Sequence, residues 1–233
     1  MHLYLVRHGE STMNLPDHAD RTVRDVPLTE LGHRQAEALG KWLPGRILQP
    51  TIIYCSTMRR TRETGAYISE SLNMPLVFDD RIREIGNNNA DHAPVEFDDH
   101  TTYNEFWASE RPFSPITTSL NGETMMHFRA RIGIFMHELL EKHADDVVML
   151  VIHGFVIDAI IDLVYNVGPY RSVEVWTSNT GLSHLQYVNR PTRESWRLYS
   201  QNRIEHLIGI GGLGLTAGGP NAPEDGSVKE SNE

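Results

Sequence analysis

The sequence predicts an α/β fold, a three-layer α/β/α sandwich on a mainly parallel central sheet with an antiparallel edge strand. Three observations carry that prediction. Residues 147–152 read VVMLVI, a continuous apolar run of the kind required by a parallel strand covered on both faces. Short apolar runs rich in β-branched residues alternate with longer stretches of helical period, as β-α-β units do. Late in the chain two such runs follow each other with only a few polar residues between them, as strands do when they turn back antiparallel.

Residues 2–6 (HLYLV) form the first strand, which stops on Arg7, His8, Gly9, Glu10 and Ser11. Residues 14–26 are polar, contain Pro16 and several Asp, and read as a loop. A helix follows over 28–43, with Thr29 as N-cap, Leu31, Leu39, Trp42 and Leu43 on its apolar side, and Pro44-Gly45 ending it. Residues 51–55 (TIIYC) are the second strand. Ser56 or Thr57 would cap the next helix, which carries Arg59, Arg60 and Arg62 and packs through Tyr67, Ile68 and Leu72. Residues 75–78 form a third strand, after which the chain reaches Glu84.

The rhythm breaks over about 85–120, with three consecutive Asn, three Pro and the aromatics Tyr103, Phe106, Trp107 and Phe113. This reads as an insertion with one short helix near 102–109. Ordered loops of such length are often lids or binding loops, and a peripheral decoration shielding a sheet edge explains the segment equally. A helix over 124–142 has the stripe Met125, Phe128, Ile132, Phe135, Met136 and Leu139. The central strand 147–152 then ends on His153-Gly154, and a helix runs from 155 to 165. Strands over 173–177, 181–188 and 196–200 complete the sheet. A catalytic domain is expected over 1–208. Residues 209–233, a Gly-rich and acidic tail, read as disordered.

Composition narrows the function. Of 233 residues, 39% are hydrophobic, enough for a buried core, and the net charge is −10. Non-specific nucleic-acid binding needs a basic face, so nucleic acid is not an expected partner. Local Arg and His can still build a pocket for an anion inside an acidic protein. No apolar run approaches eighteen residues, so no membrane partner is expected. No basic stretch precedes the first apolar run, so no secretory signal is read, and the single cysteine, Cys55, fits a reducing cytoplasm. An oligomer is compatible with the sequence but not specified by it.

Two motifs fail on context. Residues 209–214 spell GxGxxG, but the chain continues Leu-Thr-Ala-Gly-Gly-Pro, with no helix for a dinucleotide to sit on. His137-Glu138 begins a zinc-helix pattern, but position 141 is Glu where the second His is needed. None of the twelve histidines pair at tight ligand spacing, so neither a metal nor a cofactor is expected.

One constellation holds. His8 ends the first strand, Ser56 and the arginines behind it follow the second, Glu84 follows the third, and His153 ends the long apolar strand. In a parallel sheet those ends share one edge, where ligands bind. Each residue has a dull reading: His153 as a helix cap, the arginines as a solvated face, Glu84 as a surface acid. Together, two His, two Arg and one Glu suit a phosphate monoester.

On these residues the chain resembles the histidine phosphatase superfamily, branch 1, the group of cofactor-dependent phosphoglycerate mutases and related phosphatases. The matching pieces are LVRHGES with Asn14, PLTELGHRQAEALG at 27–40, YCSTMRRTRET at 54–64, RIRE at 81–84, VIHG at 151–154, and Asn202 with His206-Leu207. The resemblance implies that His8 is a nucleophile that becomes phosphohistidine, and that His153 donates to the same phosphate. Arg7, Asn14, Ser56 and Arg60 would bind the phosphate, and Glu84 would be the general acid. Glu10 and Ser11 would line the pocket, with Arg59, the neighbour of Arg60, the alternative register for the arginine.

The chain also departs from the family. After Glu84 many members carry a glycine- and Trp-Glu-Gly-containing stretch, and here the sequence is Ile-Gly-Asn-Asn-Asn-Ala-Asp-His. Asp79, Asp80 or Asp91 could therefore substitute as the acid, and Phe106, Trp107 and Arg111 either contact the rest of the substrate or pack. The mutase branch's acid-Arg-His-Tyr-Gly motif is missing. The expectation is a metal-independent phosphatase acting on a small phosphorylated metabolite. The alternatives are a 2,3-bisphosphoglycerate-dependent phosphoglycerate mutase and a non-catalytic phospho-ligand binder of the same fold.

Overall fold

The computed structural model describes residues 1–15, 25–87, 123, 125–168, 174–190 and 193–210. Six strands form one sheet: β1 (His2–Arg7), β2 (Ile52–Ser56), β3 (Leu76–Asp79), β4 (Val147–Ile152), β5 (Leu182–Arg190) and β6 (Arg193–Arg203), in the lateral order β3-β2-β4-β1-β5-β6. The first four in that order are parallel, and β5 and β6 add antiparallel at one edge. The expected three-layer α/β architecture is what the chain adopts.

Alternation along the central strands feeds two cores. Leu3 and Leu5 of β1, with Val148, Leu150 and Ile152 of β4, pack under α3 (Met125–His143) and α4 (Gly154–Val164). Tyr4, Val6, Met149 and Val151 point the other way, toward α1 (Glu30–Trp42) and α2 (Arg59–Leu72). The expected α3 stripe is buried throughout, and Thr29 caps α1 by accepting from the Gly32 N–H.

Four expectations need correction or lie out of reach. Residues 174–178 do not form a strand, because their backbone bonds to side chains and not to a neighbouring strand. The Val175 N–H donates to Asp158 Oδ1 at 3.0 Å, and the Ser178 N–H to Asn202 Oδ1 at 2.8 Å. Met58, not Ser56 or Thr57, is the N-cap of α2; Ser56 is the last residue of β2, and the Thr57 hydroxyl donates to Asp80. Of the expected α1 stripe, Leu39 and Leu43 are buried and Trp42 packs against the same core, but Leu31 is only partly buried, and Gly32, Gln35, Ala36 and Gly40 complete the buried face. The helix near 102–109, Asp91, Phe106, Trp107, Arg111 and the tail from 211 lie outside the described residues.

A close backbone approach fixes the turn after β1. A Cβ on Gly9 would stand 2.6 Å from the Gly32 carbonyl oxygen, and one on Gly32 would stand 1.9 Å from the Glu10 carbonyl oxygen. Both contacts are to backbone, so neither can yield by rotating a side chain. Around them Thr29 N–H donates to the Glu10 carbonyl at 2.9 Å and Glu10 N–H to Gln35 Oε1 at 2.8 Å.

Gly32→Ala is expected to cost roughly 2–4 kcal/mol, the range for overpacking at a site that cannot relax. Gly45→Ala, at φ +73 with open space around it, should cost only about 1 kcal/mol from backbone conformation. Denaturant melts of the two variants check this, and equal losses would refute the packing argument.

Candidate active site

The carboxyl ends of β1, β2 and β4 meet at one edge of the sheet, and the side chains that gather there are buried. His8 directly follows β1. Its N–H donates to the Ile152 carbonyl at 2.9 Å, its own carbonyl accepts from Asn179 Nδ2 at 3.0 Å, and the Thr180 N–H adds a bond at 3.2 Å. Thr180 has φ +57, costly for a β-branched residue, and in that conformation its N–H reaches the carbonyls of both Arg7 and His8. The backbone under the imidazole is thus held from three sides.

The ring itself has an assigned tautomer. Nδ1 lies 2.7 Å from the Gly9 carbonyl oxygen, which only accepts, so Nδ1 carries the proton. Nε2 therefore presents its lone pair to the buried cluster, where Arg60 Nε donates to it at 3.1 Å. Burial first, then the charges of Arg60 and Arg7, push the His8 pKa well below its ordinary value. Burial also lowers Arg60, to about 10, and its guanidinium stays charged at neutral pH.

His153 stands beside His8 with ring centroids 5.2 Å apart at 61°. It is held below its ordinary pKa by burial and by Arg60. Ser56 Oγ lies 2.8 Å from His153 Nε2 and accepts the Met58 N–H at 3.4 Å. Nδ1 of the same ring is buried and bonded to no atom of the described residues. Arg7 completes the cluster, its guanidinium donating to the Thr177 carbonyl.

Glu84 approaches from the turn after β3. Its Oε1 accepts from the Ile85 N–H at 3.0 Å and its Oε2 from the Phe155 N–H at 3.4 Å, in the first turn of α4. Burial raises its pKa, while Arg60, the two backbone bonds and Arg7 act in the opposite sense. Asp79 pairs with Arg81, and Asp80 accepts from Thr57 and faces Arg83. Both therefore stay with their own turn.

The remaining sequence candidates make their bonds elsewhere. Asn14 Oδ1 accepts from the Ser11 N–H at 2.9 Å and the Ser11 hydroxyl at 3.0 Å, and Glu10 accepts from Thr29 Oγ1 at 2.7 Å. These three brace the turn beyond Gly9. Arg59 is on the outer side of α2, more than half exposed, paired with Glu63 at 2.8 Å. Of the two adjacent arginines it is Arg60 that meets His8. Asn179, Thr180, Thr64 (accepting the Gly9 N–H at 3.0 Å) and Gln35 support the site without having been singled out. Only the Ser-Asn-Thr-Gly turn at 178–181 offered a signal. Cys55 is no rival nucleophile, because burial pushes its thiol up to about 12. Among the described residues no group of three or more His, Cys, Asp or Glu is arranged to hold a metal ion, and no helix is long and apolar enough to cross a membrane.

Comparison with known proteins places this geometry in context. The model of the histidine phosphatase superfamily (branch 1) matches residues 3–201. A probable phosphoglycerate mutase GpmB of Yersinia pestis (strain Pestoides F) is 27% identical over 212 residues, covering 89% of this chain and 95% of that protein. Two solved structures share the fold. YhfR of Bacillus stearothermophilus aligns at TM-score 0.67 and 22% identity, covering 88% of this chain and 98% of that one. Phosphoserine phosphatase of Entamoeba histolytica, in complex with 3-phosphoglyceric acid, aligns at TM-score 0.65 and 21% identity, with the same two coverages.

The histidines also set an acid limit on stability. His8, His153, His184 and His206 are all lowered in the folded chain, His184 and His206 to about 4. The unfolded chain titrates them near 6.5 and so binds more protons below that pH. Their stabilising contribution is complete above about pH 6.5 and drains away as pH falls toward their folded values. Glu84, raised by burial, works in the opposite sense but is one group against four. Tm is therefore expected to drop by several degrees between about pH 7 and about pH 5. A calorimetric series that stays flat over that interval would contradict the buried, neutral state of these rings.

Proposed function

The chain belongs to the histidine phosphatase superfamily, branch 1, and from that premise we propose that it is a phosphomonoesterase working through a phosphohistidine at His8. One observation carries the reading. The Gly9 carbonyl holds the proton on His8 Nδ1, so Nε2 is a lone pair aimed into a pocket with Arg7, Arg60 and His153. A neutral imidazole is the nucleophilic form, and burial with two cations favours it.

The two half-reactions follow from the residues. Nε2 attacks phosphorus, the ester oxygen leaves, and Glu84 gives that oxygen its proton as the P–O bond breaks. Water then attacks the phosphohistidine while the Glu84 carboxylate takes its proton, which returns inorganic phosphate and neutral His8. Arg7 and Arg60 offset the charge on the transferring oxygens, and His153 is a further donor to them. Positioning and electrostatics of this kind supply most of the rate in phosphoryl transfer. The positive charge needed is supplied by Arg7 and Arg60, which supports a metal-independent reaction. Asn14, Ser11 and Glu10 are assigned to shaping the turn that aims His8.

The phosphatase reading is favoured over mutase because the acid-Arg-His-Tyr-Gly motif of the mutase branch is missing from the sequence. The 27% identity to a probable phosphoglycerate mutase keeps the mutase as the second reading. It would require turnover of 3-phosphoglycerate to depend on added 2,3-bisphosphoglycerate.

His8→Ala is expected to lose at least about 10³-fold in kcat on a phosphomonoester panel, with wild-type activity unaffected by EDTA. Activity that survives His8→Ala, or is abolished by EDTA, would overturn the mechanism. The pH profile has a worked sign. Activity needs His8 neutral, so the acid limb lies below the ordinary histidine value. It also needs Glu84 protonated, so the basic limb lies above the ordinary carboxylate value. Glu84→Gln should erase the basic limb and slow alkyl phosphates by about 10²–10⁴-fold. In kcat/KM, which reports only the first half-reaction, p-nitrophenyl phosphate, whose leaving group departs without a proton, should be slowed far less.

A further inference from the structure

Behind the turn that carries Glu84 lies a buried ion pair that the reaction does not use directly. Arg131 of α3 meets Glu123 in a two-pronged pair, Nε to Oε1 at 2.8 Å and Nη2 to Oε2 at 2.9 Å, with the Glu123 side chain fully buried and that of Arg131 6% exposed. What distinguishes the pair is where its remaining bonding capacity goes. Arg131 Nη1 donates to the carbonyls of Arg81, at 2.6 Å, and Arg83, at 3.0 Å. Glu123 Oε2 accepts the Gly86 N–H at 2.7 Å. All three bonds are to backbone, and they fall on both sides of residue 84. Between those anchors the chain makes a tight turn. Gly86 has φ +72, the Asn87 N–H returns to the Glu84 carbonyl at 3.0 Å, and Asn87 Nδ2 donates to the Ile85 carbonyl at 2.9 Å.

A buried ion pair is weak evidence for stability, since well-packed apolar groups often serve as well. It does fix direction, because a planar guanidinium and a carboxylate impose angles that apolar contacts do not. The pair spends that directionality on the third and first residues before Glu84 and the second residue after it. We propose that Glu123 and Arg131 are positioning residues that hold the Glu84 turn so that its carboxyl faces the leaving oxygen. The proposal rests on the reading of Glu84 as the general acid. Arg131 acts through the Arg81 and Arg83 carbonyls, Glu123 through the Gly86 N–H, and neither touches substrate.

The test compares two substrates in the full-length protein, β-glycerophosphate, whose leaving alkoxide needs a proton, and p-nitrophenyl phosphate, whose leaving group does not. Arg131→Lys keeps the charge but loses the fork. Glu123→Gln keeps an acceptor for Gly86 but loses half the pair. Each is expected to lower kcat/KM, which reports the half-reaction in which the leaving oxygen is protonated, about 10- to 100-fold more for β-glycerophosphate than for p-nitrophenyl phosphate. The basic limb of that profile should shift. Added to Glu84→Gln, either change should produce no further discrimination between the two substrates. Equal losses on both substrates, or a lowered Tm with the substrate ratio unchanged, would overturn the proposal and leave the pair a structural strut. If Glu84→Gln itself fails to discriminate, Glu84 is not the acid, and the proposal falls with that reading. Melting curves at the assay temperature separate unfolding from lost positioning, and Glu123→Gln serves if Arg131→Lys does not fold.

Discussion

In the pairing of β1 with β4, Arg7 lies opposite Ile152, and the residue after each strand is a histidine. The His8 N–H donating to the Ile152 carbonyl is the last rung of that ladder. It brings together two imidazoles that are 145 positions apart in the chain. The register cannot drift. A slip of one residue would turn Leu3 and Leu5 out of one core and drive Tyr4 and Val6 into it. The packing of both sheet faces therefore holds the two histidines as neighbours, and the cores beneath the sheet set the geometry of a site at its edge.

Given that register, most of the remaining placement is done by backbone. His8 is fixed through its carbonyl by Asn179 and Thr180, and through Gly9 by Thr64. The turn beyond it rests on Gly32 with no room for a Cβ on either side. Thr180 at φ +57 is tolerated because it links two sheet residues at once; strained residues persist where the surroundings over-determine them. Side chains held through their own main chain lose little freedom when a ligand arrives, which is what pre-organisation at a reacting centre requires.

Much of this was legible in the sequence because it rests on local patterns. The VVMLVI run, the α3 stripe and the Thr29 cap follow from periodicity and capping chemistry, and His8 and His153 stand out by ending apolar strands. What escaped depends on contacts distant in sequence. Residues 173–177 have the β-branched content of a strand, but in the described part the backbone is claimed by the Asp158 and Arg7 side chains, which no local pattern reveals. Ser56 reads as a helix cap until His153 is known to stand 2.8 Å from its hydroxyl. Adjacent Arg59 and Arg60 are equivalent in composition; one helical step, about 100°, sends one to Glu63 and the other to His8. Arg131 sits among apolar neighbours on a helix and gives no sign of its partners, because Glu123 and the carbonyls of Arg81 and Arg83 come from other parts of the chain.

Electrostatics explains how one pocket holds a base-like nucleophile and an acid at once. Burial disfavours every charge, so it lowers His8 and raises Glu84, and in each case the neutral form that the proposed chemistry needs is the one retained. The arginines do not act so evenly. They push His8 further down, which helps, and pull Glu84 down as well, which works against its protonation. In the unliganded pocket burial is the larger effect on Glu84. A phosphate dianion between the arginines cancels much of their field, and its own charge favours a proton on the nearby carboxyl. In the proposed reaction, a phosphate ester would thus push Glu84 toward its protonated form as its leaving oxygen arrives to receive that proton. On His8 the same dianion would favour the unwanted imidazolium. There the Gly9 carbonyl keeps the proton on Nδ1, and Arg60, 3.1 Å from Nε2, opposes a second positive charge on the ring. The nucleophile and the acid of the proposed reaction thus stand among different neighbours: the Gly9 carbonyl and the Arg60 guanidinium for His8, and for Glu84 the N–H groups of Ile85 in its own turn and of Phe155 in the first turn of α4.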